Sequence, residues 1–226
     1  MNKDSFFSNR DHVLVAVPSK GRLKSPALLM LEMIGIKTHF VERSYFCDTS
    51  NPKVSIVFLR AIDIPMYVYY GAVDLGITGH DMVFERNVEV YELLDLGFGQ
   101  CKLVLAVPND SNLKSVKDFT STTRVATDQI NNSIEFFKRN GKEVEIIGLK
   151  GSVEISPALG LADAIVDLTS TGQTLKTHNL IPIETVLESS AVLICNRVSF
   201  RTKSSTINWL LNAIKKNMKG FQKEGR

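Results

Sequence analysis

Short apolar runs recur along the chain, and most are bounded by glycine, proline, aspartate or asparagine. They are rich in valine, isoleucine and leucine and do not alternate cleanly with polar residues, which predicts strands buried on both faces. Helical patterns that end near glycines lie between several of them, so the sequence predicts an α/β fold with mostly parallel sheets. The predicted strands are Val13–Val17, Val54–Leu59, Asp74–Thr78, Leu103–Val107, Arg124–Thr127, Val144–Lys150 and Ala164–Leu168, and the predicted helices are Ser25–Met33, Ile62–Tyr70 and Ser133–Arg139.

Two segments are typical of places where a chain passes from one domain to another. Tyr91–Cys101 is a strand-like run that ends in two glycines, and Lys176–Glu184 contains an Asn-Leu-Ile-Pro break. One crossing out and one crossing back indicate a discontinuous domain with a second domain inserted into it. The sequence therefore predicts a first α/β domain from residues 1–92 plus 179–226, and an inserted second α/β domain from residues 93–178.

Composition narrows the class of protein without identifying its function. The chain has 226 residues, 44% of them hydrophobic and 23% charged, which excludes a disordered tail, a coiled coil and a collagen-like repeat. Its 27 Lys+Arg are nearly balanced by 24 Asp+Glu, which argues against a nucleic-acid partner. No apolar stretch approaches the ~18 to 20 residues of a membrane-spanning helix, and the polar N-terminus lacks a signal-peptide core. We therefore expect a cytoplasmic protein without a membrane partner.

The three cysteines, Cys47, Cys101 and Cys195, lie far apart in the sequence. There is no Cys-x-x-Cys pair, and no histidine cluster lies near any of them. This spacing disfavours a metal site or a disulfide framework, so we expect buried free thiols.

The segment Asp163–Leu175, DAIVDLTSTGQTL, carries the strongest chemical signal in the chain. Asp167 lies near the end of the predicted strand, and a loop of hydroxyl residues with one glycine follows it. Free backbone N–H groups and hydroxyls in such a loop can bind a phosphate, and Asp167 can accept hydrogen bonds from the vicinal hydroxyls of a ribose. Glu154 could supply a second carboxylate to those hydroxyls or to a bound Mg²⁺. The alternative is that the Ser and Thr residues simply cap a helix.

A second loop, at Pro18–Leu23, places two cations around a glycine directly after a predicted strand. Lys20 offers a point charge and Arg22 a planar fork, and both suit a polyphosphate at the mouth of a parallel sheet. The spacing of a Walker loop is absent. A solvated loop with incidental charges remains the alternative.

Two further strand ends carry polar residues. Arg60 ends an apolar strand just before Asp63 opens a helix, and Gly76–Asp81 reads GITGHD after another strand. Each alone is ordinary turn chemistry. Together with the two loops above, they place four polar loops after presumed parallel strands, which is where open α/β sheets bind ligands. His80 equally fits a surface residue, so we assign it no acid or base role.

With these motifs in place, the sequence resembles the short form of the ATP phosphoribosyltransferases of histidine biosynthesis. The resemblance runs almost from end to end, and its long final motif is highly specific; Tyr69, where an acidic residue is expected, departs from it. The motifs are PSKGRL (Pro18–Leu23), LRAIDIP (Leu59–Pro65), YVYYGAVDLGITGHD (Tyr67–Asp81), YELLDLGFGQCKL (Tyr91–Leu103), LKGSVEISPALGLADAIVDLTSTGQTL (Leu149–Leu175) and ESSAVLICN (Glu188–Asn196).

The resemblance implies a fold, a reaction and a set of site residues. The fold is two α/β lobes like those of type II periplasmic binding proteins, with a cleft between them. The reaction joins N1 of ATP to phosphoribosyl pyrophosphate (PRPP) and releases pyrophosphate, with Mg²⁺ held through the substrate phosphates and not by the protein alone. The implied PRPP-binding residues are Glu154, Asp167, Thr169, Ser170, Thr171, Gly172, Gln173 and Thr174; the ATP-binding residues are Lys20, Gly21, Arg22 and Asp81; and the catalytic cations are Arg22, Arg43 and Arg60.

The resemblance also implies partners. About 30 residues follow the last predicted core strand, Ala191–Asn196, which is too few for a further regulatory domain of usual size. Short members of the family associate with a catalytically inactive relative of histidyl-tRNA synthetase, so we expect a dimer of catalytic chains within a hetero-oligomer. A solute-binding or sensor module, or another phosphoribosyltransferase, remains the alternative function.

Overall fold

The chain divides into two compact units. The structure is a computed structural model that describes residues 12–38, 44–170 and 172–224. Unit 1 consists of Met1–Gly99 with Ser190–Arg226, and unit 2 of Gln100–Ser189. Both crossings lie later in the chain than the predicted 92/93 and 178/179. The reason is strand pairing, because Tyr91–Asp95 pairs within unit 1 and Leu180–Ser189 pairs within unit 2.

Strands and helices alternate through most of the described residues. The strands are β1 (Val13–Pro18), β2 (Phe46–Asp48), β3 (Val54–Leu59), β4 (Leu75–Gly79), β5 (Tyr91–Asp95), β6 (Cys101–Pro108), β7 (Arg124–Thr127), β8 (Glu145–Gly148), β9 (Ala164–Thr169), β10 (Leu180–Ser189) and β11 (Ala191–Cys195). The helices are α1 (Lys24–Met33), α2 (Ile64–Tyr69), α3 (His80–Arg86), α4 (Ile130–Arg139), α5 (Gln173–Thr177), α6 (Arg197–Thr202) and α7 (Ser204–Glu224). Short 3₁₀ turns occupy Val116–Asp118 and Val153–Ile155. All seven predicted strands and all three predicted helices are therefore confirmed, with small differences at their ends.

Unit 1 is built on a six-stranded sheet with the order β2-β3-β1-β4-β11-β5. Val13, Val15 and Val17 of β1 pack on one face with apolar residues of α1 and α7. Ala16 packs on the other face with Ile64 of α2 and its neighbours. Because apolar helices cover both faces, both sets of alternating positions in β1 are apolar, which explains the uninterrupted runs in the sequence.

Unit 2 has a five-stranded sheet with the order β10-β6-β9-β7-β8. On one face, Leu103 and Leu105 of β6 pack against a cluster that includes Phe136 of α4. On the other face, Val104 of β6 packs in a cluster with Leu175 of α5. The same two-sided burial therefore explains the apolar run of β6.

Both sheets are mixed, which corrects the expectation of mostly parallel sheets. In unit 1, β1 pairs in parallel with β3 and β4, whereas β11 runs antiparallel to β4 and β5, and β2 antiparallel to β3. In unit 2, β7 pairs in parallel with β8 and β9, whereas β6 runs antiparallel to β9 and β10. The parallel pairs join strands that are linked through helices, whereas the antiparallel pairs involve either the strands beside the two crossings or the consecutive strands β2 and β3.

The Asn-Leu-Ile-Pro segment is not a break between domains. It leads into β10, a ten-residue strand that contains Pro182 and pairs with β6. β10 lies at the edge of its sheet, where proline is tolerated because one side of the strand needs no ladder partner. Two register shifts, at Pro182/Glu184 and Thr185/Leu187, disturb its alternation of apolar and polar residues.

A buried polar cluster anchors α6 and α7 to the start of the unit 1 sheet. The carboxylate of Asp74, just before β4, accepts hydrogen bonds from the Leu14 backbone N–H at 2.8 Å, the Ser199 hydroxyl at 2.6 Å and the Lys203 ammonium at 2.8 Å. The Asp74 side chain is only 8% exposed. Asn196 caps α6 by accepting from two backbone N–H groups of that helix. The end of the chain is thereby tied to the core of unit 1.

Two simpler expectations can also be compared with the structure. Cys47, Cys101 and Cys195 are all buried and free, as predicted. Among the residues that the structure describes, no helix has the length and apolar character needed to cross a membrane.

Candidate functional site

The carboxyl end of β9 brings three carboxylates together on unit 2. The parallel register pairs Thr127 of β7 with Val166 of β9, so Asp128 leaves its strand beside Asp167. Glu154 lies in the 3₁₀ turn Val153–Ile155, which packs on the same face of the sheet as Ile165. Burial raises the pKa of Asp167 to about 6, and the negative charges of Asp128 and Glu154 add to this effect, while the Leu168 backbone N–H opposes it. This edge is therefore an acidic site whose central carboxyl is half-buried.

The hydroxyl loop after β9 is closed by a hydrogen bond between one of its side chains and its backbone. The Thr169 hydroxyl accepts a hydrogen bond from the Gly172 backbone N–H at 2.9 Å. Gly172 stands at the N-cap position of α5 with φ +74 and makes no side-chain capping bond. Ser170, Gln173 and Thr174 are exposed. The described residues of this loop thus leave hydroxyl and amide groups facing solvent, where they can bind a ligand.

The cationic residues of unit 1 gather at one edge of its sheet. β1 and β3 are parallel and in register from Val13↔Val54 to Pro18↔Leu59, so their carboxyl ends lie side by side. The Ser19 backbone N–H donates to the Leu59 carbonyl at 2.7 Å, which joins the two turns. Lys20, Arg22 and Arg60 follow these strands and are exposed. Three of the four predicted polar loops share this edge, while the fourth belongs to the sheet of unit 2.

Arg22 also contacts Gly99, the last residue of the first segment of unit 1. Its guanidinium donates a hydrogen bond to the carbonyl of Gly99. Gly99 adopts φ +65, and a Cβ there would lie 2.3 Å from the Leu23 side chain and 3.0 Å from the Arg22 guanidinium. A glycine is therefore required for this approach, both for its backbone conformation and for space.

Asp81, which follows β4, is buried and not exposed to solvent. It occupies the first turn of α3 and its residue is fully buried. A Cβ on Gly79 would lie 2.3 Å from its carboxylate, so the short entry into α3 depends on a glycine at that position. The ring Nδ1 of its neighbour His80 donates a hydrogen bond to the carboxylate of Glu92 on β5 at 2.9 Å, and this bond raises the pKa of the imidazole.

Sequence reasoning missed several features of these edges. Asp128 and its position beside Asp167 follow from the β7–β9 register, which no local motif predicts. Asp63 stands at the N-cap of α2 but does not cap it; its carboxylate pairs with Arg86. Two expected site residues, Arg43 and Thr171, lie outside the described residues. Within the described part of the chain, no cluster of three His, Cys, Asp or Glu side chains is arranged to hold a metal ion.

Comparison with known proteins gives a consistent family match. Residues 60–216 match the family HisG, ATP phosphoribosyltransferase. The chain is 44% identical over 207 residues to the ATP phosphoribosyltransferase of Methanocaldococcus jannaschii, covering 90% of this chain and 72% of that relative. It is 42% identical over 217 residues to the ATP phosphoribosyltransferase of Halothermothrix orenii, covering 94% of this chain and 97% of that relative.

Solved structures give the same result for the fold. An ATP phosphoribosyl transferase (HisG:HisZ) complex from Thermotoga maritima is similar with a TM-score of 0.80 and 28% identity, covering 92% of this chain and 99% of that one. The substrate-binding protein of an amino acid ABC transporter is similar with a TM-score of 0.59 and 16% identity, covering 93% and 96% of the two chains. The second likeness bears on the fold alone. It agrees with the prediction that the two α/β lobes of this chain are like those of periplasmic binding proteins.

Proposed function

The chain belongs to the ATP phosphoribosyltransferase family, and from this premise we propose which of its residues bind each substrate. The enzyme catalyses the first step of histidine biosynthesis, in which the phosphoribosyl group of PRPP is transferred to N1 of ATP and pyrophosphate leaves. Family membership decides against the two alternatives, a solute-binding module and another phosphoribosyltransferase.

Unit 2 is the proposed PRPP-binding unit. The observation that carries this proposal is the half-buried Asp167 at the end of β9, directly before a loop closed by the Thr169–Gly172 hydrogen bond. The loop from Thr169 to Thr174 holds the 5-phosphate through backbone N–H groups and hydroxyls. Asp167 and Glu154 accept hydrogen bonds from the ribose hydroxyls. This arrangement fixes the sugar at both ends.

Unit 1 supplies the proposed cations. Lys20, Arg22 and Arg60 are exposed at one edge of the sheet, where they bind the phosphates of ATP or the departing pyrophosphate. Gly21, with φ +84 and open space around its Cα, lets the backbone approach a phosphate closely. Asp81, buried in the first turn of α3, shapes this edge from behind, and Arg43 joins the set on its motif alone.

The chemistry needs positioning and charge more than a protein nucleophile. Adenine N1 attacks the anomeric carbon of PRPP, the bond to pyrophosphate breaks, and the electron pair leaves with the pyrophosphate. No thiolate is required, and burial raises the pKa of the Cys195 thiol to about 12, which makes it inert. The residues therefore accelerate the reaction by orienting the two substrates and by stabilising negative charge on the leaving group.

Mg²⁺ fits this proposal as a companion of the substrate. Carboxylate oxygens of the kind that Asp167 and Glu154 present are ligands that Mg²⁺ accepts, although Mg²⁺ usually keeps most of its contacts with water and phosphate. When bound to PRPP, the ion neutralises charge on the pyrophosphate. The protein contributes at most one or two of its ligands.

Replacing Arg22 by alanine tests the assignment of the leaving-group cation. We expect kcat to fall by about 10²- to 10³-fold with little change in KM for PRPP, because the guanidinium acts on charge that develops as the bond breaks. The measurement is adduct formation by absorbance with ATP, PRPP and Mg²⁺. The control is Lys53→Ala, which removes an exposed cation before β3 at the opposite end of the strand. An unchanged kcat for the Arg22 variant would contradict the assignment.

We also propose that two catalytic chains form a dimer within a hetero-oligomer that contains a regulatory subunit similar to histidyl-tRNA synthetase. The support is the resemblance to the short form and the likeness to a chain of the Thermotoga maritima HisG:HisZ complex. We expect the chain to elute earlier in gel filtration when mixed with such a subunit, and histidine to inhibit only the mixture. Separate elution at micromolar concentration, or inhibition of the chain alone, would contradict this proposal.

A further inference from the structure

Lys102 lies on the strand next to the first residue of the hydroxyl loop. It is the second residue of β6, and the antiparallel register pairs it with Thr169, the last residue of β9. Directly opposed residues in an antiparallel pair have Cβ atoms about 4.5–5.5 Å apart. The start of β6 and the end of β9 therefore meet at the same edge of the unit 2 sheet.

The side chain of Lys102 lies on the same face as the proposed PRPP site. Val104 and Ala106 of β6 pack on the face that carries Leu175 of α5. Every second side chain of a strand points to the same face, so Lys102 lies on the face of Val104 and Ala106. For the same reason, Asp167 and Thr169 lie on the face of Ile165, which belongs to the same cluster. Lys102, Asp167 and the hydroxyl loop consequently occupy one corner of one face.

The other charged residues at this corner are acidic, so a phosphate that binds there requires a cation nearby. The loop sequence from Thr169 to Thr174, TSTGQT, contains no lysine or arginine. Its neighbours Asp128, Glu154 and Asp167 are acidic, and their charges act on one another. A dianionic phosphate that enters such a corner needs a nearby positive charge to offset the repulsion.

Lys102 is held in an exposed ion pair. Its ammonium lies 2.7 Å from the carboxylate of Glu188 on β10, and this contact lowers the pKa of that carboxyl. The side chains are 56% and 71% exposed, so the ion pair contributes little to stability. An ammonium in an exposed pair can exchange a carboxylate for a phosphate at little cost.

We propose that Lys102 is a further PRPP-binding residue, whose ammonium binds the 5-phosphate held by the loop after β9. The phosphate replaces Glu188 as the partner of this ammonium, so Glu188 itself is not needed for binding. This inference rests on the proposed function of unit 2.

The test is a set of four variants, Lys102→Met, Lys102→Arg, Glu188→Gln and Thr169→Val, measured by steady-state kinetics. Lys102→Met is expected to raise KM for PRPP by about 10- to 100-fold, the range of one hydrogen bond to a charged group, with KM for ATP unchanged. Lys102→Arg is expected to restore most of the affinity. Glu188→Gln removes the ion pair but keeps the lysine, and is expected to leave KM for PRPP unchanged or lower.

The outcomes separate this inference from the proposal on which it rests. If Lys102 serves only the ion pair, Lys102→Met and Glu188→Gln will give the same KM for PRPP, and the inference is overturned. If the loop after β9 does not bind PRPP at all, Thr169→Val will also leave KM for PRPP unchanged. A normal Lys102→Met beside an impaired Thr169→Val overturns the role of Lys102 alone. Thermal unfolding of each variant shows whether a raised KM reflects loss of folded protein.

Discussion

Asp167→Asn is expected to stabilise the ligand-free protein at pH 7.5 while it lowers kcat/KM for PRPP by about 10²- to 10³-fold. The asparagine keeps the shape of the side chain but loses the charge that we propose accepts hydrogen bonds from the ribose hydroxyls. The same charge is costly in the absence of substrate, because burial and two neighbouring carboxylates raise its pKa to about 6. Residues that bind a polar substrate often destabilise the free protein in this way.

The gain in stability that we expect for Asp167→Asn depends on pH. A carboxyl whose pKa is about 3.9 when unfolded and about 6 when folded destabilises the fold fully above pH 6, and the penalty disappears as the pH falls below about 4. The full shift corresponds to about 3 kcal/mol, which partial exposure reduces to about 1–2 kcal/mol. Thermal unfolding at pH 7.5 and pH 4 should therefore show a gain for Asp167→Asn only at the higher pH.

Asp128→Asn is the matched variant that tests how a neighbouring charge affects the pKa of Asp167. It removes a neighbouring charge that raises the pKa of Asp167, so the acid limb of kcat/KM for PRPP should move to lower pH. The plateau at higher pH should change far less than in Asp167→Asn. An acid limb that stays near pH 6 in the Asp167→Asn variant would show that another group controls it.

Asp74→Ala is expected to lower the free energy of unfolding of unit 1 by about 3–5 kcal/mol. The carboxylate is buried and accepts three hydrogen bonds, so its removal leaves the Leu14 N–H and the Lys203 ammonium without their acceptor. Lys203 is only 24% exposed, which makes its loss of a counter-charge expensive. The effect should appear in stability and not in the affinity for PRPP.

Urea unfolding followed by tryptophan fluorescence provides the measurement. Trp209, the single tryptophan of the chain, lies in α7 and therefore reports on unit 1. The control is Asp110→Ala, an exposed aspartate of unit 2, which should change the midpoint very little. A loss below about 1 kcal/mol for Asp74→Ala would mean that water replaces the missing carboxylate.

The predicted strands are right wherever helices cover both faces of a sheet. In β1, and in β6 from Leu103 to Val107, every position is selected to be apolar, so the sequence signal is strong and continuous there. The prediction of a break at Lys176–Glu184 is wrong because Pro182 lies inside β10, whose two register shifts disturb the pattern of apolar and polar positions. Its pairing with β6 depends on an edge position that is known only from the whole sheet.

The proposed site could be predicted only where its residues are close in sequence. Asp167 and the loop after it form one motif, as do Lys20 and Arg22. Asp128 and Lys102 become neighbours of that loop through strand register, across 39 and 67 positions of the chain. Such proximity leaves no local trace in a single sequence, because an aspartate before a helix and a lysine at a strand end are ordinary surface residues.

The strand pairing around the two crossings brings together the ends that each unit would have if the chain were cut there. Ala191 exchanges backbone hydrogen bonds with Leu96 and Phe98, and Ser189 pairs with Cys101. The two cut points of unit 1, and likewise the two ends of unit 2, are thus about one strand spacing, ~5 Å, apart. A short glycine linker can close either gap without stretching the backbone. The short gaps therefore favour separate expression of the two units, which would place the proposed PRPP-binding residues and the proposed phosphate-binding cations on different polypeptides.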